Sequence, residues 1–211
     1  MAPRDGRCKV NMKDISLIGF MGCGKSSVGK ILATLLPECR LIDLDTYIEE
    51  KQGKNIPEIF NEYGEAAFRR MEREALEEIF SDKSRPRAIL SLGGGTVTSE
   101  QCRQLIRQHT DCFYLRATTD TLLDNLEGHS DGRPMLNPTQ PVEAQSTETS
   151  SEREALRRRI ESLMQTRSPQ YLATAHHIID IDGLSFAQIA EIIKEAVETN
   201  TLNIKQQNIC L

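Results

Sequence analysis

Apolar residues along this chain alternate between two kinds of spacing. "ISLIGF" (15–20), "LIDLD" (41–45), "AILSLGGG" (88–95), "CFYLRA" (112–117) and "HIIDI" (177–181) are short, nearly unbroken apolar runs. Runs of that length and composition predict buried strands. Between them apolar positions recur at helical spacing. Val28, Ile31, Leu32 and Leu35 follow Lys25, and "GEAAFRRMEREALEEIF" (64–80) sets Phe68, Met71, Ala75, Leu76 and Ile79 on one face. Further helices are predicted near 98–109, 119–127, 152–166 and 185–198. Strands alternating with helices predict an α/β fold: a parallel sheet covered on both faces, in three layers. One stretch breaks the rhythm. "NPTQPVEAQSTETSS" (137–151) has two prolines and no apolar period, and predicts a mobile loop. Residues 1–13 read as a disordered lead-in and 199–211 as a C-terminal tail, which leaves a single domain over 14–198.

Composition narrows the class. Of 211 residues, 38% are hydrophobic and 27% charged, as in ordinary globular proteins. A net charge of −5 argues against a broad nucleic-acid surface. The basic run Arg157-Arg158-Arg159 lies among Glu152, Glu154 and Glu161, and reads as a solvated helix face. Six cysteines are scattered without a CxxC pair, the usage of reduced thiols rather than of disulfides or a zinc site. His176-His177 lacks further ligand groups at metal spacing. No apolar run approaches the ~20 residues of a membrane span, and "MAPRDGRCKVN" has no apolar signal region. The expected compartment is the cytoplasm, with neither membrane nor nucleic acid as partner.

The chemistry begins at "GFMGCGKSSVG" (19–29). Gly19-x-x-x-x-Gly24-Lys25-Ser26 is a complete P-loop signature, with an apolar strand before it and an amphipathic helix after. Gly22, Cys23, Gly24, Lys25, Ser26 and Ser27 would turn backbone N–H groups and a helix N-terminus toward phosphate oxygens. Lys25 would reach the β- and γ-phosphates and Ser26 would ligate Mg²⁺. A nucleoside triphosphate is therefore expected. Cys23 is read as a small side chain filling a tight loop.

Ligands of open α/β sheets bind beyond the carboxyl ends of the strands. The second strand is expected to deliver Asp43 and Asp45, two residues apart and so on one face of an extended segment. One would hold hydrated Mg²⁺ and the other would orient an acceptor hydroxyl. The third delivers Gly93-Gly94-Gly95, where backbone can approach a ligand closely. Arg69 and Arg70 open the 64–80 helix, Arg133 sits in "GRPML" and Arg167 in "RSPQY". Guanidinium forks suit a small, hydroxylated, anionic acceptor.

Together, and in this order, "GFMGCGKSSVGK", "LIDLDTYIEE", "EAAFRRMERE", "LSLGGGTV", "GRPML" and "RSPQY" resemble the shikimate kinase family over roughly residues 14–197. The resemblance implies a five-stranded parallel sheet with a substrate subdomain and a lid at about 128–151, working as a monomer. It implies transfer of the ATP γ-phosphoryl group to the 3-hydroxyl of shikimate, within aromatic amino-acid biosynthesis. It implies that Lys25 and Ser26 serve nucleotide and metal, that Asp43 reaches Mg²⁺, and that Asp45 accepts the proton. Arg69 and Arg167 would clamp the shikimate carboxylate, Gly93–Gly95 would contact the substrate, and Arg133 would swing onto the transferring phosphate. Glu72, three residues after Arg69, would orient it. Arginines that the resemblance implies beside adenine are replaced, at Asn125 and Leu126 and in "DGLS" (182–185), so adenine contacts stay unassigned. Gluconate kinase, a nucleoside monophosphate kinase and a non-catalytic nucleotide-binding regulator are the alternatives. The low aromatic content of 5% weighs against an acceptor carrying a base.

Overall fold

The computed structural model describes residues 13–126 and 152–207, with side chains omitted for residue 152 and for 200–207. Arg133, the proposed lid at 128–151 and the predicted loop at 137–151 lie outside the described residues. Five strands form one sheet in the order β2-β3-β1-β4-β5: β1 (Asp14–Ile18), β2 (Arg40–Asp43), β3 (Ala88–Ser91), β4 (Thr110–Arg116) and β5 (His177–Asp180). Every pairing is parallel. The predicted α/β architecture is therefore the observed one.

Both faces of the central strand are covered, which is why every residue of β1 is buried and its run is mostly apolar. Successive residues serve opposite layers. Ile15 and Leu17, with Phe113 and Leu115 of β4, pack beneath α1 (Lys25–Leu35), α5 (Thr119–Leu126) and α7 (Phe186–Gln207). Ile18, with Cys112 and Tyr114, packs beneath α2 (Leu44–Gln52), α3 (Ile56–Ser81) and α4 (Glu100–His109). The long α6 (Glu152–Thr174) sends Ile160 to the first layer and Tyr171 to the second. Buried polar groups inside the sheet are paired, as with the Ser16 and Thr110 hydroxyls at 2.7 Å.

Several element boundaries differ from the sequence reading, each for a visible reason. The second strand stops at Asp43, whose carboxylate accepts from the Asp45 and Thr46 amides and so caps α2. The apolar run continues past Asp43 because Leu44 and Ile48 are buried one turn apart on that helix. α3 begins eight residues before Gly64, on an Asn55/Glu58 capping box with a proline in its first turn. Gly64 breaks it with a non-helical φ of 75°, which is where the predicted helix starts. Arg69 and Arg70 thus follow a kink inside α3 and do not open it. The third strand stops at Ser91, ahead of the glycines, and a 3₁₀ turn at Thr96–Thr98 precedes α4. α6 runs through Pro169 to Thr174, and α7 runs past residue 199 to Gln207.

The described cysteines, Cys23, Cys39, Cys102 and Cys112, are all buried free thiols. The two histidines take structural places: His176 Nδ1 accepts from the Cys112 amide at 3.1 Å, and His177 stacks on Phe113. Among the described residues no helix is long and apolar enough to cross a membrane.

Candidate active site

Three strands end at the same place. β1 runs into the loop 19–24, β2 into Asp43, and β3 into the three glycines. The first of these builds the phosphate cradle. Gly24 sits at φ 87° and caps α1 without any side-chain hydrogen bond, and the first turn of α1 holds no acid. The amides and positive dipole end of α1 are thus left to an anion. Lys25 is buried, its Nζ donating to the carbonyls of Gly19 (2.8 Å) and Phe20 (2.9 Å). The Cys23 thiol lies inside the loop, fully buried and 3.7 Å from that ammonium, in keeping with a filler of the tight turn.

Asp43 joins cradle and sheet. One carboxylate oxygen caps α2, and the other accepts from the Ser26 hydroxyl at 2.8 Å. Ser91, at the end of β3, lies 3.2 Å from the same hydroxyl. Three hard oxygens therefore gather at the mouth of the loop. No group of three or more His, Cys, Asp or Glu placed to hold a metal ion occurs among the described residues. A hydroxyl, one carboxylate and neighbouring hydroxyl oxygen fit Mg²⁺, which keeps several waters and takes phosphate oxygens as further ligands.

Asp45 reaches the site from the first turn of α2, not from the strand. The expectation that strand alternation aligns it with Asp43 is corrected: the capped helix start brings the two together. Its Oδ1 is enclosed and has no hydrogen-bond partner. Burial, then Glu72 and Asp43, push its carboxyl up to about 7, against the pull of Lys25 and Arg69. A carboxyl poised near neutrality suits proton transfer.

The three glycines are each surrounded differently. A Cβ on Gly93 would stand 2.9 Å from Asp45 Oδ1 and 3.1 Å from Glu72 Oε1. One on Gly94 would stand 3.1 Å from the Met21 amide of the phosphate loop. One on Gly95 would collide with the Arg69 guanidinium at 2.2 Å. None of the three needs a left-handed backbone, so space is what excludes a side chain here. That space is shared with the protein's own acid, loop and arginine.

Arg69 is held on both sides, by Glu72 at 2.7 Å and Glu65 at 3.0 Å. Glu72 is fully buried and also accepts from Thr96 Oγ1. The expected orienting role of Glu72 thus has its contact. Arg69 Nε nevertheless remains enclosed and unpartnered. Arg167, 3% exposed, has no carboxylate against it among the described residues; its Nη1 lies 3.5 Å from the Gly94 carbonyl. Burial pulls its pKa down from the usual arginine value. A buried cation with no carboxylate in ion-pair contact can accommodate an anion.

A cavity of about 400 Å³ collects most of these groups. Met21, Gly22, Gly24, Lys25, Ser26 and Ser27 line one side, Asp43, Asp45, Ser91, Gly93 and Gly94 the other, with Asn125 and Phe186 at one end. Arg69 and Arg167 stand behind the glycines instead of lining it. Tyr171, absent from the sequence reading as a site residue, donates its hydroxyl to the Gly94 carbonyl and stacks on Tyr114 at 4.9 Å. Its place in "RSPQY" was the available signal. Thr96, directly after the glycines, was likewise passed over.

Comparison with known proteins decides which kinase lineage this loop belongs to. A family model described as shikimate kinase matches residues 21–198. The chain belongs to the shikimate kinase family. Shikimate kinase of Thermus thermophilus is 35% identical over 184 residues, 87% of this chain and 88% of that one. Shikimate kinase of Chlorobaculum tepidum is 36% identical over 194 residues, covering 92% and 95%. A solved shikimate kinase from Acinetobacter baumannii, in complex with shikimate, superposes with a TM-score of 0.76 at 30% identity, over 90% of this chain and 96% of that chain. Membership of this family makes the chain a kinase.

Proposed function

We propose that the chain transfers the γ-phosphoryl group of ATP to the 3-hydroxyl of shikimate, yielding shikimate 3-phosphate and ADP. The observation that carries this reading is the enclosed, unpartnered Asp45 Oδ1 beside the phosphate cradle, with half-buried Arg69 and buried Arg167 behind the intervening glycines. A hydroxyl for the aspartate and a carboxylate for the arginines describe a small polyhydroxy acid.

Phosphoryl transfer has a loose transition state, so positioning and charge stabilisation carry the catalysis. Gly22 to Ser27 hold the triphosphate. Lys25 leaves its carbonyl partners for the phosphates. Ser26 and Asp43 would hold Mg²⁺, which would supply positive charge against the phosphates when bound. Asp45 aims the acceptor hydroxyl and takes its proton. Arg69 and Arg167 bind the carboxylate, Glu72 holds Arg69, and Tyr171 fixes Gly94. Arg133, outside the described residues, is assigned to the transferring phosphate. All these residues belong to one chain, so a monomer suffices.

A coupled ADP-release assay tests the assignment. ADP should form at an enzymatic rate with shikimate and slowly with gluconate or without acceptor; equal rates in all three would refute it. Gly95→Ala adds a finer test. The atoms nearest to the new methyl belong to the Arg69 guanidinium, the far end of a flexible side chain and not backbone, so the protein should fold with a melting temperature within a few degrees of wild type. Its KM for shikimate should rise on the order of tenfold, the loss of one charge-assisted hydrogen bond. An unchanged KM would separate Arg69 from acceptor binding.

A further inference from the structure

Arg69 already carries two carboxylates. Its Nη1 donates to Glu72 at 2.7 Å and its Nη2 to Glu65 at 3.0 Å, while the guanidinium lies against Gly95. Arg167 stands behind the same glycines, its Nη1 3.5 Å from the Gly94 carbonyl. The charge of Glu65 reaches Arg167 as well, working against the downward pKa shift that burial imposes there. Glu65 therefore acts on both cations assigned above to the acceptor carboxylate. With an acceptor acid bound, two guanidiniums would meet three carboxylates: Glu65, Glu72 and the ligand's own. Like charges gathered in a partly desolvated site repel, so one of the protein's own acids has to withdraw.

The two acids differ in how firmly they are held. Glu72 is fully buried and also accepts from the Thr96 hydroxyl. Pulling it from Arg69 would leave a buried charge short of its partner. The Glu65 side chain is 48% exposed, and Arg69 is its one hydrogen-bond partner among the described residues. It directly follows Gly64, where a φ of 75° breaks α3 and nothing stands within 4 Å of the place a Cβ would take. Water can take over the Glu65 carboxylate with little loss, since partly exposed ion pairs contribute little. Glu65 is the acid that leaves.

We propose that Glu65 is a displaceable counter-ion of the acceptor clamp, occupying Arg69 until an incoming carboxylate replaces it, and so a determinant of which acids bind. A monocarboxylate without hydroxyls offers Arg69 nothing that Glu65 does not. An acid whose hydroxyls also bond Asp45 gains enough to displace it. The proposal rests on the assignment of Arg69 and Arg167 to the acceptor carboxylate.

Calorimetric titration of the full-length chain with shikimate, nucleotide absent, tests it. Glu65→Gln removes the charge from an exposed side chain, so the fold should be kept. Its Kd for shikimate should fall about 1.5–5-fold, the usual worth of a partly exposed ion pair. In the kinase assay, inhibition by acetate, competitive with shikimate, should strengthen by a similar factor. Glu62→Gln is the control: it lies three residues earlier, is 49% exposed, and pairs with Lys54 instead of Arg69. Its Kd should stay at the wild-type value. An unchanged or raised Kd in Glu65→Gln, or acetate inhibition no stronger than in wild type, would overturn the proposal, because Glu65 would then support Arg69 without competing for it. Equal tightening in Glu62→Gln would do so too, since the gain would then come from overall charge. If the wild type bound no shikimate at all, the acceptor reading would fail instead, which keeps the two failures apart.

Discussion

Asp45→Asn is expected to lower turnover by about 10²–10⁴-fold, the usual contribution of a positioned proton acceptor, and at the same time to stabilise the protein above neutral pH. The two effects share one cause. Burial with Glu72 and Asp43 nearby lifts the Asp45 carboxyl to about 7, far above its ordinary value of 3.8. The folded protein therefore keeps a proton that the unfolded chain has released, and stability linked to this group is complete below about pH 4. It is lost progressively as pH rises through 7. Asparagine has the same shape and no charge, so the variant escapes that loss. Its melting temperature should match wild type near pH 4 and exceed it by a few degrees at pH 8, with ~2–4 °C for each kcal/mol in a chain of this size. Scanning calorimetry across that range provides the check. A gap that narrows toward alkaline pH would mean that Asp45 is ionised throughout and not poised for proton transfer. Because the carboxylate form takes the proton, wild-type kcat/KM should rise over the interval in which the stability difference grows.

Arg69→Ala should weaken acceptor binding by ~2–5 kcal/mol, the cost of unpairing a buried charge, which is roughly 30- to 5,000-fold in KM for shikimate. The KM for ATP should move little, since Arg69 meets Gly95 and not the phosphate loop. The variant also loses stability. Glu72 is fully buried, and without Arg69 only the Thr96 hydroxyl remains to meet its charge. These contributions separate in Arg69→Ala/Glu72→Gln. That double variant should recover most of the melting temperature while keeping the raised KM. Recovery of both would show that Arg69 acts through the fold alone. If only the ATP affinity changed, the clamp assignment would be wrong.

Much of the fold was legible because the relevant forces are local. Short apolar runs and 3.6-residue periods report burial on two faces or on one, and all five strands and the helices at 25–35, 100–109 and 119–126 follow from them. The elements that escaped were written in caps and not in periods. Asp43 with Gly53 bounds α2, and Asn55 with Glu58 begins α3; both signals were in the sequence, masked by the stronger apolar pattern beside them. The helix predicted at 152–166 runs on through Pro169 to Tyr171, whose ring stacks on Tyr114 in the layer beneath.

The sequence alone determined the proposed phosphate cradle, since the eight residues from Gly19 to Ser26 contain their own glycines, lysine and helix start, and need no distant partner to define their chemistry. It also determined which donors and acceptors are present: the aspartates, the glycine strip and the arginines. Their working properties were decided only by tertiary contacts. Asp45 is shifted first because the fold buries it and then because α3 lays Glu72, 27 residues further on, near it. The glycines are small because acid, loop and arginine crowd them from three different elements. Arg167 lacks a counter-charge because α6 carries it away from water to the Gly94 carbonyl. Charge, desolvation and close contact act across space, and the order of residues along the chain records them only after folding has set the distances.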